Sequence, residues 1–370
     1  MNEENINVFE EKNAEEGINS DPVDAFTEEN ITEETENTTG TPEEPPVFNM
    51  FVMTKEQYEK KEVKKLGRVS GISFLVFEGV MLILSGIVVA IAKIFPINGT
   101  QIYNILREPA IGQVQQILFS ILLFTLPFIT VYKLFGYRIS DLISFKLPKG
   151  KRNFYLFLIG ISFCSFANIA ANMAGQFFDS VGIEYEVDFG DEPLGFFGFM
   201  LTFIAMSVVP ALVEEFACRG IIMGSFKKQG EAFAIIASSV IFGLMHSNFE
   251  QIPFAFLVGL ILGYITIKSD TLWVAVAVHF FNNLVPVIYS YVLKDLSVVG
   301  QNISYTIFLI VTMLIGMFAF IKLKDDEDIF TLKSEEFSVS LSQSLKWFFT
   351  SVPIIILASI CLLSSLAYFK

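Results

Sequence analysis

Cysteine and histidine are scarce in this 370-residue chain, which has three of the first and two of the second. Cys164, Cys218 and Cys361 each lie inside an apolar run with no second cysteine at a usable spacing, so a disulfide framework and a zinc knuckle are both excluded. Charge is thin as well. Asp, Glu, Lys and Arg make up 17% of the residues, where a soluble globular chain carries about 25%. That deficit, set beside 53% hydrophobic residues and 40 phenylalanines, points to lipid. No cleavable leader is expected, because the first apolar stretch begins near Val69, behind a long polar segment.

The charge that is present is unevenly placed. Residues 1–50 hold 15 acids and one base, Lys12, which accounts for the whole formal charge of −14. The remaining body is balanced, so the acidic excess says nothing about its partners, and no nucleic-acid partner is expected. Residues 1–54, rich in Glu, Asn and Thr, bury too little apolar area to offset ordering entropy and read as a disordered acidic tail. Residues 55–68 then carry Lys55, Lys60, Lys61, Lys64, Lys65 and Arg68 directly before the first long apolar run, the pattern of a basic juxtamembrane segment on the cytoplasmic side.

Residues 69–370 read as an all-α, polytopic membrane bundle of about eight or nine spans. Apolar runs near 70–95, 114–134, 154–175, 194–213, 231–249, 252–267, 271–292, 304–321 and 346–369 are separated by short polar breaks, and about 20 residues cross the hydrocarbon. Basic residues cluster on alternate loops, while the acidic loop at 179–192 has none. This alternation places the N-terminus in the cytoplasm and the protein in the cell membrane. No inverted repeat of the secondary-transporter kind is visible.

Ionisable groups at membrane depth are costly, so each invites a functional reading. The fourth run contains Glu214, Glu215 and Arg219 within two turns. Glu215 and Arg219 are four apart and form an ion pair by the plain reading, whereas Glu214 points about 100° away and is left over. His246 stands in the fifth run four residues after Phe242; His279 in the seventh is four residues before Asn283. A carboxylate can act as general base on water, imidazoles can hold that water or a metal, and an amide can donate to an oxyanion. Hydrolysis of an amide within the membrane fits the set. Asn168 and Asn172 read as interhelical hydrogen bonders, as Asn282 does in the bland reading, Cys218 as a packing residue, and Phe196, Phe197, Phe199 and Phe203 as lipid-facing or packing surface.

Glu214-Glu215-x-x-x-Arg219, Phe242-x-x-x-His246 and His279-x-x-x-Asn283, in that order on separate runs, resemble the signature of the CPBP intramembrane proteases. This is the CAAX protease and bacteriocin-processing (ABI) family, which includes the type II CAAX prenyl endopeptidases. The resemblance covers roughly residues 195–290. It implies an endopeptidase in which Glu214 activates water, His246, His279 and Asn283 complete the site, and Glu215 and Arg219 give structural support. The family is described both as glutamate-dependent and as metallo; a zinc ion, if used, would draw on Glu214, His246 and His279. Implied partners are membrane lipid and a peptide or membrane-protein substrate, in CAAX processing, peptide maturation or bacteriocin self-immunity. The alternatives are a non-catalytic membrane scaffold or binding protein of the same fold, a bis-His haem protein using His246 and His279, and a proton-coupled transporter. The geometry expected of the protease is one cavity in which Glu214, both imidazoles and Asn283 lie within roughly 3–5 Å of a common water.

Overall fold

A computed structural model describes residues 53–94, 108–180, 193–249, 251–334 and 338–366. The acidic tail, apart from Met53 and Thr54, and most of the acidic loop at 179–192 lie outside them. Among the described residues the chain is helical and has no strand. Ten helical segments carry the fold: α1 Lys55–Ile94, α2 Pro109–Leu134, α3 Gly150–Ser180, α4 Gly195–Gln229, α5 Glu231–Leu244, α6 Gln251–Ser269, α7 Leu272–Val292, α8 Val298–Leu323, α9 Leu341–Phe349 and α10 Val352–Leu366.

Seven of these, α1 to α4 and α6 to α8, are long and apolar enough to cross a membrane, or eight if α9 and α10 together make one span. The chain is a multi-pass membrane protein. Two of the nine runs take other forms. The fifth becomes α5, whose 14 residues reach about 21 Å before the chain turns back into α6. The last is broken by 71° between α9 and α10, where Pro353 follows closely on Ser351. The basic residues 55–68 are no separate segment but the first turns of the 40-residue α1. Val63, Leu66 and Val69 are buried there, and Glu59 accepts hydrogen bonds from the Ser338 backbone N–H at 2.8 Å and the Ser338 hydroxyl.

Lipid-exposed helix surfaces are as apolar as the bilayer, so close packing rather than hydrophobic exclusion joins the spans. Small residues permit it. A Cβ on Gly259 of α6 would lie 2.9 Å from Ser239 Cβ of α5, and one on Gly316 of α8 would overlap Ser162 of α3. The serines in these spans return their hydroxyls to their own helix: Ser239 donates to the Ile235 carbonyl at 2.6 Å and Ser238 to Ala234 at 2.7 Å. Of the phenylalanines noted above, Phe196 and Phe197 are exposed, while Phe199 packs on Tyr291 and Phe203 on Phe280.

One end of the bundle is tied by ions. Arg152, in the first turn of α3, meets Asp326 at 3.0 Å and Asp328 at 2.5 Å. Lys268, near the end of α6, stands 3.7 Å from Asp328 and 3.8 Å from Glu231, and its ammonium donates to the Thr331 carbonyl. The start of α5, the end of α6 and the segment after α8 are thereby held together at one level. Gly230, at φ 102°, makes the sharp break between α4 and α5, a conformation that glycine alone adopts freely.

Candidate active site

The site is built on α4, and α4 is not a uniform α-helix. Two wider π-type stretches, Ile204–Val208 and Phe216–Ile222, flank the α-helical turns Val209–Glu215. Widened turns of this kind occur often at functional sites. Pro210 stands where the first gives way to regular helix, and because it has no N–H to offer, the change of pitch there leaves no donor stranded. The second begins directly after Glu215. Glu214 and Glu215 are thus the last residues of a regular turn, one on each side of the edge that faces α7.

Glu215 is fully buried and its Oε1 accepts from two sides: from Arg219 Nη1 at 2.8 Å and from His279 Nδ1 at 2.9 Å. The ion pair read from the sequence is present, but it is not closed on itself. An ionised carboxylate only accepts, so Nδ1 of His279 carries a proton, and in the neutral ring Nε2 keeps its lone pair. That Nε2 lies 3.9 Å from Oε2 of Glu214. The distance is too long for a direct hydrogen bond, and it lets one water molecule reach both groups. Glu214 keeps 15% of its side-chain surface exposed, His279 5% and Glu215 none.

His246 is not inside a helix. It follows the end of α5 in a turn closed by His246 N–H to Gly243 O and Ser247 N–H to Leu244 O, with Ser247 at φ 49°. The tip of the α5–α6 hairpin therefore presents this imidazole. Its Nδ1 is 2.8 Å from the Phe242 carbonyl; a carbonyl accepts, so this ring has the same tautomer as His279, with Nε2 free to accept.

Phe242 joins the pieces, a role its place in the motif did not disclose. Its ring packs edge-on against both imidazoles, at centroid distances of 5.0 Å to His246 and 5.9 Å to His279, and the Arg219 guanidinium sits 4.1 Å over its face. The face of an aromatic ring attracts a cation, so Phe242 takes up part of the charge that Glu215 leaves on Arg219.

Asn283 takes a different position. It lines a cavity of about 450 Å³ between α3, α7 and α8, and Glu214, His246 and His279 are not among that cavity's walls. Its carbonyl oxygen accepts from Asn282 at 3.2 Å, and Asn282 in turn accepts from Asn168 of α3 at 3.3 Å. Asn168 and Asn282 thus do bond between helices. Glu214, Glu215, Arg219 and His279 form one contiguous group; His246 joins it through Phe242, and Asn283 lies one turn along α7. Cys218 is buried in packing, 3.9 Å from the Met245 sulfur.

Catalytic zinc usually takes three protein ligands and a water. Among the described residues no three His, Cys, Asp or Glu side chains gather closely enough to hold a metal ion, and Glu214, His246 and His279 are no exception.

Residues 196–285 match the family model described as Type II CAAX prenyl endopeptidase Rce1-like. The matched segment runs from the start of α4 into α7 and contains every candidate residue above. Over 89 residues, 24% of its length, the chain is 30% identical to a Bacillus subtilis (strain 168) protein named "Putative membrane peptidase YdiL". The chain spans 36% of the length of that relative. No solved structure matches the chain. The likeness inferred from the three motifs is thus present in the helices that build the site, and α1, α2, α3 and α8 to α10 lie outside it.

Proposed function

We propose that this protein is an intramembrane endopeptidase of the CAAX-processing type, with Glu214 as the general base that activates water. The observation that carries the reading is the pairing of Glu214 Oε2 with His279 Nε2 across 3.9 Å. Both groups accept, and a water placed between them donates one hydrogen to each, leaving an oxygen lone pair free to attack. Attack on the peptide carbonyl forms the new C–O bond as Glu214 takes the proton. Collapse of the tetrahedral intermediate breaks the C–N bond, and Glu214 returns the proton to the departing amine.

Glu215 and Arg219 support the step without touching substrate. Glu215 fixes the tautomer and ring angle of His279, and Arg219 holds Glu215 in place through their buried ion pair. His246 is suited to accept from a substrate amide N–H through Nε2, and Asn283 to donate to the oxyanion once substrate brings the two sites together. The substrate is a peptide or membrane protein, the site lies in the cell membrane, and the N-terminus faces the cytoplasm.

The test is cleavage by purified, liposome-reconstituted protein of two peptide sets, prenylated CAAX-type peptides and unprenylated transmembrane peptides. Glu214→Gln is nearly isosteric and removes the base. The expected loss is on the order of 10²–10⁴-fold in kcat with little change in KM. A variant that cleaves as fast as wild type would remove Glu214 as the base, and a wild-type protein that cleaves neither set would return the protein to the non-catalytic scaffold reading.

A further inference from the structure

The cavity lined by Asn283 carries an unusual inventory. Asn168 and Asn172 of α3, Asn282 and Asn283 of α7, and Gln301 and Asn302 of α8 all face it, between aromatic walls. A second space of about 390 Å³ shares Asn168 and Asn172 with the first and adds Gln176 and Gln251. Among the described residues neither space is lined by a single Asp, Glu, Lys, Arg or His. Eight carboxamides without a charge are a costly surface to build in spans that otherwise bury apolar residues, and the volume falls within the roughly 300–1,000 Å³ of ligand sites.

A peptide bond inside a membrane helix is already hydrogen-bonded to its own chain, so it must be unwound before water can attack it. Unwinding one turn strands several N–H and C=O groups at once. A carboxamide supplies both an acceptor and two donors, the complement of a bare peptide group, whereas a charged lining would favour a carboxylate, phosphate or amine instead. Pro286 lines the same cavity. It has no N–H to give to the Asn282 carbonyl four residues back, so the backbone of α7 offers one more acceptor there. Asn283 is four residues from His279, about 6 Å along α7.

We propose that this amide-lined cavity is the subsite that holds an unwound, uncharged stretch of substrate backbone beside the scissile bond, with Asn168, Asn172 and Asn302 as recognition residues. It rests on the peptidase reading above and adds a substrate class: segments whose helix breaks within the membrane. Asn172 and Asn302 are both exposed toward the cavity, so changing them disturbs little packing.

The experiment measures binding, not cleavage, with the full chain carrying Glu214→Gln in phosphatidylcholine liposomes. The probes are a fluorescent leucine-rich transmembrane peptide with a central Asn-Pro-Gly break and the same peptide with leucines in place of the break. The broken peptide is expected to bind about tenfold tighter, the size of two net hydrogen bonds. Adding Asn172→Leu and Asn302→Leu should abolish that preference, and the corresponding Gln pair, which keeps the carboxamides, should retain it. Equal affinity for the two peptides, or a preference that survives the leucines, overturns the proposal. So does a leucine pair that slows hydrolysis in the wild-type background with peptide affinity unchanged, which would make the cavity a route for water. Failure of Glu214→Gln to stop cleavage would remove Glu214 as the base, and failure of the wild type to cleave would sink the peptidase reading; either result leaves these affinities standing.

Discussion

Arg219 and Arg152 each answer carboxylates, yet the bundle treats them differently. Arg219 is fully buried, shares Glu215 with His279 and lies over the ring of Phe242. Arg152 is 37% exposed and meets Asp326 and Asp328 where water reaches all three. In the dry group every charge needs a partner, because an uncompensated charge there costs several kcal/mol. In the wet group solvent replaces any partner that is lost, and a pair contributes little. The comparison separates what fixes the site from what merely ties the ends of helices. It also explains why two atoms of Arg219 and one of Glu215 are left without a hydrogen-bond partner: geometry around the site is set by the shared oxygen, and full satisfaction of the guanidinium is given up for it.

The sharpest way to break the contrast is Arg219→Met. It leaves Glu215 buried with only His279 as partner, and the expected loss is about 3–5 kcal/mol. The readout is the thermal midpoint of detergent-solubilised protein, followed by near-total loss of cleavage. Adding Glu215→Gln to the same chain removes the orphaned charge while an amide oxygen still accepts from His279. Most of the stability should return and the activity should not. If the double variant melts as low as the single one, the buried pair matters through packing and the electrostatic account is mistaken.

A smaller effect is expected at Gly259, where α6 crosses α5. A valine there would push against Ser239, whose Cβ and Cα lie 2.9 and 3.0 Å from the new Cβ. Overpacking of this kind costs about 1–3 kcal/mol. Because the α5–α6 hairpin carries His246 at its tip, Gly259→Val should raise KM or lower kcat more than its modest loss of stability explains. Gly259→Ala, with one methyl, should fall between. Equal activity in all three would detach the hairpin from the site.

These positions also show how far the sequence could be read. The Glu214-Glu215-x-x-x-Arg219 spacing disclosed the Glu215–Arg219 pair because both ends sit on one helix, where separation in sequence sets separation in space. The His279–Glu215 bond spans 64 residues and depends on how α7 crosses α4, which no local spacing encodes. The π-type turns in α4 were equally silent, since Phe216 to Ile222 is an ordinary apolar run. Hydropathy puts His246 inside a span because Leu244, Met245 and Phe249 are apolar and hide the turn that ends α5. The break between α9 and α10 did leave a trace: Pro353 disfavours helix at the residue before it, but the flanking apolar residues outweighed that signal. The amides of α3 were legible singly as interhelical bonders. That they gather with those of α8 around one cavity required the packing.

The least effect should come from the wet end. A hydrogen bond from Arg152, and behind it the charge of Lys268, hold the Asp328 carboxyl below its ordinary value. A carboxylate with a lowered folded-state pKa stabilises the fold above its unfolded value, and that contribution disappears as pH falls through the folded one. Asp328 is 53% exposed, so screening limits the pair to within about 1 kcal/mol. Arg152→Gln should therefore lower the thermal midpoint slightly near pH 7, and the difference from wild type should close as pH falls through the lowered value of Asp328, below which it is protonated in both chains. Salt should close it too at neutral pH, since exposed pairs are screened and buried ones are not, so molar salt ought to erase the Arg152→Gln difference and leave that of Arg219→Met in place. Should salt diminish both alike, the Glu215–Arg219 pair is reached by solvent ions, and the dry environment on which the proposed water between Glu214 and His279 depends loses its physical basis.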